Sequence, residues 1–199
     1  MLVPTNAPPR GVPRALPDDG VQLVADATLF RAPATDRAQI QTARGEVLLR
    51  PVTPVDLHPI DTFVRRLSTA SRFQRFHTGL HHLTPRQLAG VVDVDHHQRE
   101  TLVAVVGRRV VGLGQYLRQD RPAGSVDLGI VVADRWQGVG LGRALVTTLT
   151  AAAAAAGHTH ATALVQADNR PVLHLLRTLG DRVESVRAGN SIEALIRLT

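Results

Sequence analysis

The chain has 199 residues and a formal net charge of +6, with no cysteine and no lysine. That length holds one domain with a real core and room for an added arm, and the missing cysteines exclude disulfides, thiol nucleophiles and cysteine-ligated metals. No apolar run reaches the ~20 residues of a membrane span, and the first residues lack a signal-peptide pattern, so a cytoplasmic protein with no membrane partner is expected. Scattered arginines carry the whole basic excess, and aromatics make up only 3% of the chain. That suits an anionic small ligand better than nucleic acid.

Residues 1–19 are proline-rich and aperiodic and read as a loosely docked arm. Val21 to Phe30 fits a short strand or helix, and Arg31 to Arg44 is polar and ambiguous. Residues 1–44 therefore read as an N-terminal arm or accessory segment, partly flexible. A dimer arm is one use for it, which leaves a homodimer open. Residues 45–199 read as the main domain.

Glu46 to Val52 is the expected first strand, stopped by Pro51. Thr53 or Asp56 can cap a helix whose apolar face is Leu57, Ile60, Phe63, Val64 and Leu67. Thr84-Pro85 opens another, ending near Val92. Glu100 to Val106, Val110 to Arg118 and Val126 to Val132 read as three antiparallel strands, the first two joined by a turn at Gly107-Arg108-Arg109. A helix over Gly142 to Ala156 ends at Gly157. A strand at Thr162 to Gln166, a helix over Asn169 to Leu179 stopped by Gly180, and strands at Asp181 to Val186 and Ser191 to Leu198 close the chain.

The stretch Gln137-Gly138-Val139-Gly140-Leu141-Gly142-Arg143 sits between an apolar strand and a long helix. Glycines let backbone amides approach a ligand closely. A helix N-terminus adds unpaired donors and partial positive charge, so the pattern suits a phosphate or pyrophosphate. Arg143 adds a charge-assisted donor at the helix start. Neither the dinucleotide fingerprint nor the Walker A pattern is met. The loop does match Q/R-x-x-G-x-G/A and resembles the pyrophosphate loop of the GCN5-related N-acetyltransferases, the GNAT superfamily.

That resemblance implies an α/β GNAT fold: a central mixed, mostly antiparallel sheet flanked by helices, with strand, pyrophosphate loop and helix at the cofactor site. It implies acetyl-CoA as co-substrate, with contacts at Gln137, Gly138, Val139, Gly140, Leu141, Gly142 and Arg143. The backbone of Ile130, Val131 and Val132 would meet the pantetheine arm, where the strand splays from its neighbour. Asn169 would contact or shape the same region, or act only as a helix cap. The family usually has Gly-Phe at the next turn, where this chain has Gly180-Asp181. Many relatives carry a tyrosine, as acid to the leaving thiolate, at the position of Leu176; the sole tyrosine here is Tyr116.

The segments Arg50-Pro51-Val52-x-x-x-Asp56, Leu67-Ser68-x-x-Ser71-x-x-x-Arg75-Phe76 and Val126 to Gln137 are similar to those of bacterial protein-lysine acetyltransferases of this superfamily. Their carboxylate is usually Glu, and Asp127 matches it one methylene shorter. The resemblance thus implies an acetyl-CoA-dependent N-acetyltransferase acting by direct attack in a ternary complex. Asp127 is the expected catalytic base, and a protein lysine or a small amine the acceptor. His77, His81 and His82 are alternative bases. A weakly catalytic acyl-CoA-binding or sensing module is the competing reading. The histidine pairs at 81–82 and 96–97, with His158 and His160, lack zinc spacing, so no metal is expected; most read as loop residues, and His174 as packed.

Overall fold

The computed structural model describes residues 37–78 and 81–198. The proline-rich arm up to residue 36 and the element expected at Val21 to Phe30 lie outside the described residues. Within them the chain forms an eight-stranded sheet in the order β1-β2-β3-β4-β5-β6-β8-β7.

Ala38–Thr42 forms β1 and pairs antiparallel with β2, Gly45–Pro51, so the strand expected to come first is the second. Thr42 closes the turn between them by donating its hydroxyl to the Gly45 carbonyl. A single 3₁₀ turn at Pro54–Asp56 leads into α1, Leu57–Arg66. Its inward face is Ile60, Phe63 and Val64, with Leu67 buried just past its end; Leu57, expected on the same face, is exposed. The Asp56 carboxylate accepts from the Thr53 amide and hydroxyl and from both Nη atoms of Arg50 at 2.7 and 2.8 Å. The spacing of Arg50 and Asp56 thus builds a bidentate pair that locks the end of β2 to the start of α1.

Thr69–Phe76 forms α2, an eight-residue helix that carries too short an apolar stripe to be read from periodicity. Ser68 caps it by accepting from the Ser71 amide. Pro85–Val92 forms α3, opened by a reciprocal box between Thr84 and Gln87. The antiparallel strands β3, Arg99–Val106, β4, Arg109–Gln119, and β5, Ser125–Val132, follow as predicted. After the glycine loop comes α4, Leu141–Ala155, then β6, His160–Gln166, α5, Arg170–Thr178, β7, Val183–Ala188, and β8, Ser191–Arg197.

Helices cover both faces of the sheet. The first core joins α1 and α3 to Val103, Val105, Leu113 and Val131. The second joins α4 and α5 to Val47, Leu49, Leu102, Val126 and Leu128. The α4 helix lies close on β4 because Gly112 and Gly114 carry no side chain there. A Cβ at Gly114 would fall 2.6 Å from the Leu149 Cδ1 atom, and one at Gly112 3.2 Å from that of Leu145. Seating α4 this way fixes where its N-terminus, and the glycine loop before it, stand relative to β5.

The sheet opens at one seam. β5 and β6 run parallel but pair only through Ser125, Val126 and Asp127 against His160, Ala161 and Thr162. Beyond Asp127 the two strands diverge.

Candidate active site

The glycine loop lies at the open end of this fork. Gly138 and Gly140 have φ of 73° and 89°, the left-handed region that glycine adopts without strain. A Cβ at either would meet no protein atom within 4 Å, so the space in front of the loop is open. Gly140 is the N-cap of α4 and offers no side-chain cap. The first backbone bond of that helix runs from the Ala144 amide to the Gly140 carbonyl, which places the amides of Leu141, Gly142 and Arg143 ahead of it, without intrahelical acceptors. Leu141 is buried and anchors the turn, while Arg143 is exposed beside it. Open space, positive-φ glycines and free helix amides together fit a pyrophosphate.

Gln137 braces the mouth of the loop. Its Nε2 donates to the Val132 carbonyl and to the Ser71 hydroxyl, each at 3.1 Å. Asp134 accepts from the Ser68 amide and hydroxyl and from the Ser71 hydroxyl. Burial alone would raise the Asp134 carboxyl, but these bonds outweigh it and hold it below the usual carboxylate range. So the paired serines of α2 and the Asp134 to Gln137 segment are two halves of one joint. The sequence places them more than sixty residues apart, and no local pattern connects them.

Asp127 occupies the vertex of the fork. It shares a face of β5 with Gly129 and Val131, and that face meets α2. The side chain is half-buried. Burial raises its carboxyl above the ordinary value, while Arg75 and His77 pull it back. A carboxyl shifted upward in this way is suited to accept a proton. Arg75 lies directly over Gly129, and its Nη2 donates to the Gln115 Oε1 at 3.2 Å.

His77, at the C-cap of α2 with φ of 53°, reaches across the fork. Gln166 on β6 donates to its Nδ1 at 2.8 Å. Burial, then the Arg75 charge, press the imidazole below its usual value, against Asp127 and the Leu164 carbonyl. The structure therefore brings His77 to Asp127 but leaves His81 and His82 exposed. Asn169 is buried and caps α5, its Oδ1 accepting from the Val172 amide. The side chains of Val131 and Val132 are buried, leaving their backbone as what they can offer a ligand.

One histidine expectation needs correction. His174 is exposed on α5, not packed, because its helix turns Leu176 to the core instead. His96 and His158 lie in loops, as expected, and both are held by hydrogen bonds. His96 bonds the buried Glu100 at 2.8 Å, and His158 donates to the His97 carbonyl at 2.7 Å while stacking on the His97 ring. Tyr116 belongs to the same network, and its hydroxyl is aimed at the His97 carbonyl. It is 1% exposed, and burial, then Glu100 and Asp95, push its phenol upward. It is a core residue and cannot stand in for the acid absent at Leu176, which is itself buried.

A family model described as the acetyltransferase (GNAT) family matches residues 63–181. Acetyltransferase PA5475 of Pseudomonas aeruginosa is 30% identical over 138 residues, covering 67% of this chain and 74% of its own length. Among solved structures, the GNAT domain of S. lividans PAT superposes with a TM-score of 0.77 at 22% identity, covering 84% of this chain and 100% of that one. A GNAT superfamily phosphinothricin acetyltransferase from Sinorhizobium meliloti, in complex with AcCoA, gives 0.61 at 18% identity, over 80% and 89%.

Proposed function

Because this chain belongs to the GNAT acetyltransferase family, and is therefore an acyltransferase that moves acetyl from acetyl-CoA to an amine, we propose that its acceptor is a protein lysine and that Asp127 is the base. The observation that carries this reading is the fork: the only three paired residues of the β5–β6 seam end at Asp127, and the same strand runs on into the glycine loop. One strand thus joins the place for a pyrophosphate to the place for a proton.

The amides after Gly140 would hold the pyrophosphate, with Gly138, Val139 and Arg143 around it, and Gln137 would keep the loop mouth braced. The open backbone edge from Ile130 to Val132 would align the pantetheine arm, beside the cap at Asn169. Acetyl-CoA supplies an acyl group activated as a thioester. Asp127, through a water, would take the proton from the acceptor nitrogen as its lone pair attacks the carbonyl carbon. The C–S bond then breaks and its electron pair leaves with the sulfur. With Leu176 buried in the tyrosine's place, solvent protonates that thiolate. Lysine as acceptor is supported by the likeness of the segments at 50–56, 67–76 and 126–137 to protein-lysine acetyltransferases, and cytoplasmic residence accords with it.

The test is acetylation with labelled acetyl-CoA against lysine peptides, folded proteins and small primary amines, using wild type and Asp127→Asn. Lysine products that vanish in the variant, with acetyl-CoA affinity retained, are the expected result. Transfer to small amines alone would overturn the acceptor, and undiminished turnover in Asp127→Asn would remove the base.

A further inference from the structure

We propose that Arg75 is a positioning residue for the transfer: its guanidinium, seated on the bare Cα of Gly129, keeps Asp127 as the carboxylate at the vertex of the fork. This deepens the reading of Asp127 as base and rests on it. Residues two apart on a strand share a face, so a group standing where the side chain of residue 129 would be is the same-face neighbour of Asp127. Arg75 stands there. A Cβ at Gly129 would fall 2.6 Å from its Cζ, 2.7 Å from Nη1 and 2.9 Å from Nη2.

The guanidinium is oriented from the neighbouring strands. Nη2 donates to Gln115 on β4, and Gln115 in turn donates to Thr101 on β3 at 3.0 Å. Its Nε is enclosed and has no hydrogen-bond partner among the described residues. Leaving a buried donor unpaired is unfavourable, so packing alone does not account for a guanidinium at this place. What it has is charge, and an arginine keeps that charge when buried.

The groups that face Asp127 define its field. From α2 and its cap come Arg75 and His77. From β4 comes Leu117, opposite in register, and from β6 Thr162; neither is charged. Burial disfavours the cationic form of His77, so Arg75 is the permanent positive charge of the set. Gly129 follows as its counterpart, because any larger residue there evicts the guanidinium.

The experiment titrates the Asp127 carboxyl directly, by infrared difference spectroscopy assigned with Asp127→Asn, alongside the pH profile of kcat/KM. Arg75→Gln is expected to raise the Asp127 midpoint by about one pH unit and to move the acidic limb of kcat/KM the same way. Arg75→Lys should leave the midpoint close to that of wild type. Gly129→Ala should raise the midpoint with Arg75 still present, and should add nothing in the Arg75→Gln background. That variant keeps the test open if Arg75→Gln fails to fold. A midpoint unmoved in Gly129→Ala, or in a folded Arg75→Gln, overturns the proposal alone. Wild-type turnover in Asp127→Asn overturns the base reading, and the proposal with it.

Discussion

Replacing Gly140 with alanine separates the loop's conformation from its sterics. Gly140 sits at φ 89°, and an added methyl would meet no protein atom within 4 Å. The expected penalty is therefore conformational, about 1–2 kcal/mol for an L-residue held in the left-handed region. For a protein of this size that lowers Tm by about 2–8 °C. If the loop relaxes out of that conformation, the amides that follow it turn away from the pyrophosphate. Losing one hydrogen bond to a charged group costs about 1.5–3 kcal/mol, which weakens acetyl-CoA binding about 10- to 150-fold. Gly142→Ala is the internal control. Its methyl meets Ile130, Leu175 and Val132 at 3.6 to 4.0 Å, ordinary contact distances, within a helix. Alanine there should leave affinity intact and add up to about 1 kcal/mol of stability. Calorimetric titration with acetyl-CoA, paired with thermal unfolding, measures both quantities. A lowered Tm with unchanged acetyl-CoA affinity in Gly140→Ala would refute the loop as the pyrophosphate cradle.

Gly114→Ala should cost about 1–2 kcal/mol by overpacking against Leu149, and Leu149→Ala, costly in itself, should cost less in the Gly114→Ala background than alone; denaturant unfolding that finds the Gly114→Ala variant as stable as wild type would contradict the close seating of α4. Removing Asp134 takes away the acceptor of three hydrogen bonds, so Asp134→Ala should lose about 2–3 kcal/mol and speed amide exchange across α2. Asp56→Asn should lose about 3 kcal/mol at neutral pH by leaving Arg50 without its charge partner. Burial raises the Asp56 carboxyl, but bonds from Arg50 and Thr53 more than offset this and leave it depressed. The contribution is thus fully present above the unfolded pKa of about 3.9 and is lost as pH falls through the lower folded value. The stability gap between wild type and Asp56→Asn should shrink in urea titrations below that pH; a gap constant with pH would rule out the charged pair as its source.

The conformation of the glycine loop was legible because it is written locally. Gly138 and Gly140 mark the loop because few other residues take their backbone angles, and the apolar strand before them and the helix formers after them set its context. Asp127 was singled out by the resemblance of the Val126 to Gln137 segment to that of protein-lysine acetyltransferases. What escaped the sequence was long-range. Nothing local says that Ser68 and Ser71 meet Asp134, or that Gly129 is bare to admit a side chain from α2. Gly112 and Gly114 look like weak points of a strand until α4 is laid on them. The helix α2 is short and polar enough to leave no period. His174 was misplaced because its apolar neighbours suggested a packed side, whereas the helix turns Leu176 inward and leaves His174 exposed. The small strand β1 was missed although Ala38 to Thr42 alternates, because five residues with a single large apolar side chain, Ile40, are too few to stand out from a polar stretch.

The three-residue seam between β5 and β6 divides the sheet into two panels, β1 to β5 and β6 to β7. Few backbone bonds stitch them. Past Asp127 the link passes through side chains, chiefly His77 on Gln166, and through helices packed across both. An extended ligand lying along β5 would supply the missing rungs, so occupancy would act as a structural strut as well as a reactant. Binding of that kind adds RT ln(1 + [L]/Kd) to the folded state, and the gain would fall on the weaker join. Occupancy would then stiffen the seam that ends at Asp127, across a core that both panels share.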